Sequence, residues 1–88
     1  MRIVQFSQRA IEALNSYKSG NQKLVFKVLD LIEDIQKNPF TGLGKPEALK
    51  GNYSGYWSRR INNEHRLVYK VDDEKIVIYK CHGHYSDE

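Results

Sequence analysis

The residues with chemical potential gather in the second half of the chain. A carboxylate, Glu47, follows Lys45-Pro46 in a glycine-rich segment. Three arginines, Arg59, Arg60 and Arg66, crowd the stretch WSRRINNEHRLVYK, and a histidine, His84, lies near the end. A base, an acid and fixed cations are the parts of a metal-free phosphodiester transfer. The base takes the proton of a ribose 2′-hydroxyl, the acid protonates the leaving 5′-oxygen, and the cations hold the charge of the phosphorane. General acid–base help is worth about 10²–10⁴-fold, and preorganised cations often contribute more. Each residue also has a plainer role. Glu47 could pair with Lys45 or Lys50, Glu64 could neutralise Arg66, and His84 could be structural. Tyr53 and Tyr56 suit a core or a base-stacking platform; Trp57 suits the core better.

Other chemistries find less support. GLGKPE places a lysine after glycine but lacks the GxxxxGK[ST] of a triphosphate loop. CHGHY offers Cys81, His82 and His84 to a metal, yet strand alternation separates Cys81 from the two histidines. No second Cys/His cluster completes a tetrahedron, so no metal or cofactor is expected. The serines lack a nucleophile-elbow context.

Charge points to an anionic partner. The 88 residues carry a net +3, distributed as +2 over residues 1–41, +4 over 42–70 and −3 over 71–88. A basic middle third suits a phosphate backbone, or else is a solvated face. A single cysteine forbids an intrachain disulfide, and no stretch reads as a signal peptide or membrane span. The expectation is one cytoplasmic domain over residues 1–88, with no membrane partner.

These residues need a frame. Residues 2–6, RIVQF, read as a strand. Ser7 stands at an N-cap position, followed by Ala10, Ile11, Leu14 and Tyr17 at helical spacing, with Gly20 placed to end the helix in a left-handed conformation. Asn21 could cap a second helix over residues 22–37. Leu24, Val28, Leu31 and Ile35 form its apolar stripe, broadened by Val25, Leu29 and Ile32, and its charges read as a solvated face. Asn38-Pro39 stops it. After a glycine-rich connector come strands at 56–61, 64–71 and 75–81, with turns at Asn62-Asn63 and Asp72-Asp73. The fold class is α+β: two N-terminal helices packed on one face of a curved, mostly antiparallel sheet.

Register decides the site. A two-residue Asn62-Asn63 turn pairs Arg59 with Arg66, whereas a three-residue loop brings Arg60 opposite instead. A strict two-residue turn within DDEK keeps His84 off the face of Arg66 unless the chain bends after Gly83.

The segment NPFTGLGKPEALKGNYSGYWSRRINNEHRLVYKV, followed by CHGHY, resembles the YoeB family of bacterial toxins within the RelE-like group. The resemblance spans nearly the whole chain. It implies a fold similar to microbial ribonucleases and a ribosome-dependent mRNA endonuclease, the toxin of a type II toxin–antitoxin pair. Such an enzyme cuts mRNA in the 30S A site of the 70S ribosome, leaving a 2′,3′-cyclic phosphate and a 5′-hydroxyl. By resemblance Glu47 is the base, Arg66 stabilises the transition state and His84 is the acid, while Lys50, Arg60 and Tyr85 bind RNA. Arg59 and Lys45 join the RNA-binding cations of the same basic segment. The implied partner is a YefM-like antitoxin with a disordered acidic tail; a homodimer stays open. The chain departs from the pattern in continuing SDE after Tyr85, and in carrying His82, a second candidate for the histidine role. The alternative is a non-catalytic RNA- or antitoxin-binding module on the same fold.

Overall fold

The computed structural model describes residues 1–83; His84, Tyr85 and the Ser86-Asp87-Glu88 extension lie outside the described residues. Strand β1 (Ile3–Phe6) leads into helix α1 (Gln8–Gly20) and helix α2 (Gln22–Lys37). Strands β2 (Glu47–Ala48), β3 (Trp57–Arg60), β4 (Arg66–Val71) and β5 (Lys75–Lys80) follow, with one 3-10 turn at Gly51–Tyr53.

Helix α1 starts as its sequence requires. The Ser7 Oγ accepts the Ala10 N–H at 3.0 Å and donates to the Tyr79 carbonyl, fastening the helix start to the last strand. Gly20 ends differently from expectation. It is the last helical residue, not left-handed, and the chain reverses at Asn21 with φ −155°. An extended residue makes this corner, so no positive φ is needed. Asn21 precedes α2 without a side-chain capping bond.

Helix α2 has the span its periodicity predicts. Val28, Leu31, Ile32 and Ile35 are buried against Leu67, Tyr69, Ile76 and Ile78 of the sheet. Burying each such aliphatic side chain contributes about 1.5–3 kcal/mol. Leu29 and Phe26 stay exposed, so the apolar stripe is narrower than the sequence suggests.

The sheet order is β1-β5-β4-β3-β2. Pairing is antiparallel except between β1 and β5, which run parallel. The helices cover one face, and the other carries the charged residues. Between β4 and β5 the turn falls one residue later than expected. Asp72 N–H bonds the Lys75 carbonyl, while the Asp72 carboxylate accepts the N–H groups of Glu74 and Lys75. These bonds hold that carboxyl below its usual range.

A bulge then resets parity. Tyr69 pairs with Ile78 but Val68 pairs with Lys80, leaving Tyr79 as the extra residue. Without it, Lys80 would point at the helices. With it, Lys80 shares the open face with Val68, and Cys81 enters the core.

Candidate active site

The hairpin of β3 and β4 settles which arginine faces Arg66. Register places Arg60 opposite Arg66 and Arg59 opposite Leu67. The loop holds three residues, because Ile61 N–H bonds the His65 carbonyl at 3.0 Å. Asn62 Oδ1 shapes it by accepting the N–H groups of Glu64 and His65 at 2.9 and 2.8 Å.

Arg59 therefore points to the helices, where it is fully buried. This corrects its assignment as an RNA contact. Its Nε donates to the Tyr69 hydroxyl at 3.1 Å, and its terminal nitrogens donate to Asp34 and to the carbonyls of Leu43, Asn38 and Thr41. A guanidinium has five N–H donors, and all five have acceptors here. The Arg59–Asp34 contact is 2.5 Å long. Arg59 and the N–H of Leu43 hold the Asp34 carboxyl below its ordinary range. Asp34 is thus a structural anion on a helix face that reads as merely solvated.

That hub anchors the loop leading to Glu47. Tyr69 O–H donates to the Pro39 carbonyl at 2.7 Å, and Arg60 N–H to the Gly44 carbonyl at 2.7 Å. Gly42 has φ 113°, and a Cβ there would lie 2.1 Å from an Asp34 oxygen. Lys45 takes the left-handed region at φ 52° just before Pro46-Glu47. The loop cannot shift without disturbing Arg59.

Glu47 pairs with Ser58, Ser58 with Val68, and Val68 with Lys80, a row across four strands. Directly opposed residues share a face, so Glu47 projects from the open side with Ser58, Arg60 and Arg66. Arg66 lies two strands and one row from Glu47, on the order of 12 Å between Cα atoms from ordinary sheet spacings. Glu47 and Lys50 also line an open cleft of about 310 Å³.

Among the described residues no carboxylate forms an ion pair with Arg60 or Arg66, and neither Lys45 nor Lys50 pairs with Glu47. The Arg66 guanidinium is instead oriented by the Asn62 and His65 carbonyls, at 2.7 and 3.1 Å. Such bonds fix direction and leave the full positive charge in place. Lys80, which sequence reasoning passed over, is 4% exposed on the same face. Only the bulge put it there, and no local sequence signal announces that bulge.

The aromatics divide. Trp57 packs against Phe40 at 4.8 Å between ring centroids and against the core, as expected. Tyr53, Tyr56 and Tyr79 cluster at centroid distances of 5.7–6.1 Å, with Lys70 over the Tyr56 ring. Cys81 is buried, its thiol pushed up to about 11 by burial. It is therefore a core thiol at neutral pH. Among the described residues no group of three His, Cys, Asp or Glu side chains could hold a metal ion. No helix among them is long and apolar enough to cross a membrane.

Two helices on a five-stranded mixed sheet, with a cationic open face, match the class of small bacterial toxins among solved structures. A YoeB dimer from Staphylococcus aureus superposes with TM-score 0.90 at 46% identity, over 96% of this chain and 98% of that one. The YoeB chain of a YoeB–YefM complex from the same organism gives 0.87 at 46%, covering 97% and 99%. Toxin YoeB of Mycobacterium bovis is 45% identical over 85 residues, 97% of this chain and all of the relative. Residues 6–85 match the family described as the YoeB-like toxin of bacterial type II toxin–antitoxin systems. The chain belongs to that family.

Proposed function

We propose that the chain is a ribosome-dependent endoribonuclease that cuts mRNA in the A site through its own side chains, without a metal ion. The observation carrying this reading is the open face itself. Glu47, Arg60 and Arg66 share it, and neither arginine has a carboxylate partner among the described residues.

In the proposed step Glu47 takes the 2′-hydroxyl proton as that oxygen attacks phosphorus. The bond from phosphorus to the 5′-oxygen breaks, and His84 protonates the leaving oxygen. The products are a 2′,3′-cyclic phosphate and a 5′-hydroxyl. Arg66, already aimed by two carbonyls, meets the charge on the phosphorane oxygens. Lys50 and Arg60, with Tyr85, track the flanking RNA. Lys45, exposed beside Glu47, adds positive charge at the entry to this face.

A YefM-like antitoxin is the proposed regulator. A basic site that harms its host needs an anionic cover, and an acidic tail folding over the hairpin supplies one. Self-association into a dimer is proposed on the same similarity, and cytoplasmic localisation follows from a ribosomal target.

The test is to induce the chain and map mRNA 5′ ends on translating ribosomes. Cleavage at A-site codons that disappears in Glu47→Gln and in His84→Ala supports the reading. If either variant cuts as fast as its parent, the proposed mechanism is wrong. Salt-sensitive RNA binding with no cleavage would favour the non-catalytic module.

A further inference from the structure

The residue that links the arginine hairpin to the chain end is His65. Its backbone closes the three-residue loop, and its carbonyl accepts from the Arg66 guanidinium at 3.1 Å. Its Nδ1 accepts the Gly83 N–H at 2.9 Å. The Gly83 carbonyl in turn accepts the Arg66 N–H at 2.9 Å. Both polar backbone groups of Gly83 are therefore held by two consecutive residues of the hairpin. Gly83 has φ 74°, so the chain turns there, immediately before residue 84.

A backbone N–H can only donate, so Nδ1 must carry its lone pair. The imidazole has to be neutral, with its proton on Nε2. Protonation would set an N–H against an N–H. We propose that His65 is a positioning residue that fixes Gly83 only as the neutral imidazole, so that acidification frees the Gly83 amide.

The groups facing His65 favour this behaviour. From the chain end the His82 ring lies tilted at 4.6 Å between centroids. From α1 Tyr17 lies at 5.5 Å, its hydroxyl donating to the Cys81 carbonyl at 2.6 Å. Burial raises that phenol, and it stays neutral through the imidazole range. The buried Cys81 thiol stays neutral there also. From the hairpin, Arg66 adjoins as a cation and Glu64 as an anion. The protein's choice is thus between a neutral closed latch and a charged open one.

In its catalytic arm this inference rests on the proposed nuclease reading; its structural arm does not. The structural arm follows the Gly83 amide by NMR in the purified full chain between pH 8 and pH 5. Its hydrogen-exchange protection factor should fall about tenfold or more across that range. Asparagine places an amide oxygen where Nδ1 stands and does not titrate. His65→Asn should keep the Gly83 amide protected without pH dependence, and His65→Phe should lose protection throughout. The catalytic arm measures single-turnover cleavage on programmed ribosomes. His65→Asn should shift the acid limb of kcat with KM unchanged, because the flanking cations are untouched. Gly83 protection that ignores pH in the parent overturns the latch, as does His65→Asn retaining the parent's pH dependence. If the parent itself never cleaves, the nuclease reading fails while the amide still decides the latch.

Discussion

Arg59 and Arg60 are adjacent in sequence and opposite in fate. Arg59 is sealed beneath the helices with all five donors met, and it ties the loop before Glu47 to the sheet. Arg60 is exposed on the open face, its backbone bonded to that same loop and its charge unpaired among the described residues. Alternation alone separates them by one residue and two surfaces. One arginine builds the platform, and its neighbour is available to a ligand. Identical side chains therefore call for different assays.

The largest effect should come from the buried member. Arg59→Met leaves Asp34 and three carbonyls without donors, and each acceptor carbonyl stripped of its partner in the interior costs about 1–3 kcal/mol. Denaturant unfolding should report that loss, whereas Arg60→Met should stay within about 0.5 kcal/mol of the parent. Equal losses would mean that the two arginines are not distinct in role.

On the open face Arg66→Ala should lower cleavage by about 10²–10³-fold, the cost of deleting one preorganised donor. The unfolding midpoint should move far less than for Arg59→Met, because among the described residues the Arg66 guanidinium bonds loop carbonyls. A folded, fully active Arg66→Ala protein would remove the centre of the proposed site.

The anion beneath Arg59 gives a subtler handle. The folded Asp34 carboxyl titrates below its unfolded value. Its contribution is present above the unfolded pKa of about 3.9 and is lost as pH falls through the lower folded value. The stability difference between the parent and Asp34→Asn should be constant near neutrality and shrink below about pH 4. A difference unchanged at pH 2 would contradict the Asp34–Arg59 assignment.

The smallest effect sharpens the comparison from outside. Arg60→Ala should reduce the salt dependence of RNA binding by about one phosphate contact, a slope change of about 0.7–0.9. Arg59→Lys, if it folds, should leave that slope unchanged.

Much of the frame was legible in the residues. The periodicity of α2 and the proline after it give Gln22–Lys37 directly, and Ser7 caps α1 as its position suggests. Arg59 was not legible, because its anion is 25 residues away on a helix face whose charges look ordinary. The hairpin register was open because two asparagines tolerate loops of either length, and the choice lies in the closing bond of Ile61 to His65. Lys80 was hidden by a bulge that shifts parity late in β5. The parallel pairing of β1 with β5 is set by long-range packing, which no local pattern encodes. His84 and Tyr85 were nominated by motif and remain proposals for the assays above.

The strand order has a consequence for how the protein is made. Strand β5 is the last of the five to be synthesised, yet it lies between β1 and β4. Until it emerges, β1 has no neighbour in the sheet and the apolar surfaces of α1 and α2 lack much of their cover. Closing such a long-range pairing is slow compared with forming local hairpins. The sheet therefore cannot close until residues 75–80 have been made, and β1 waits for its neighbour through most of the chain's synthesis.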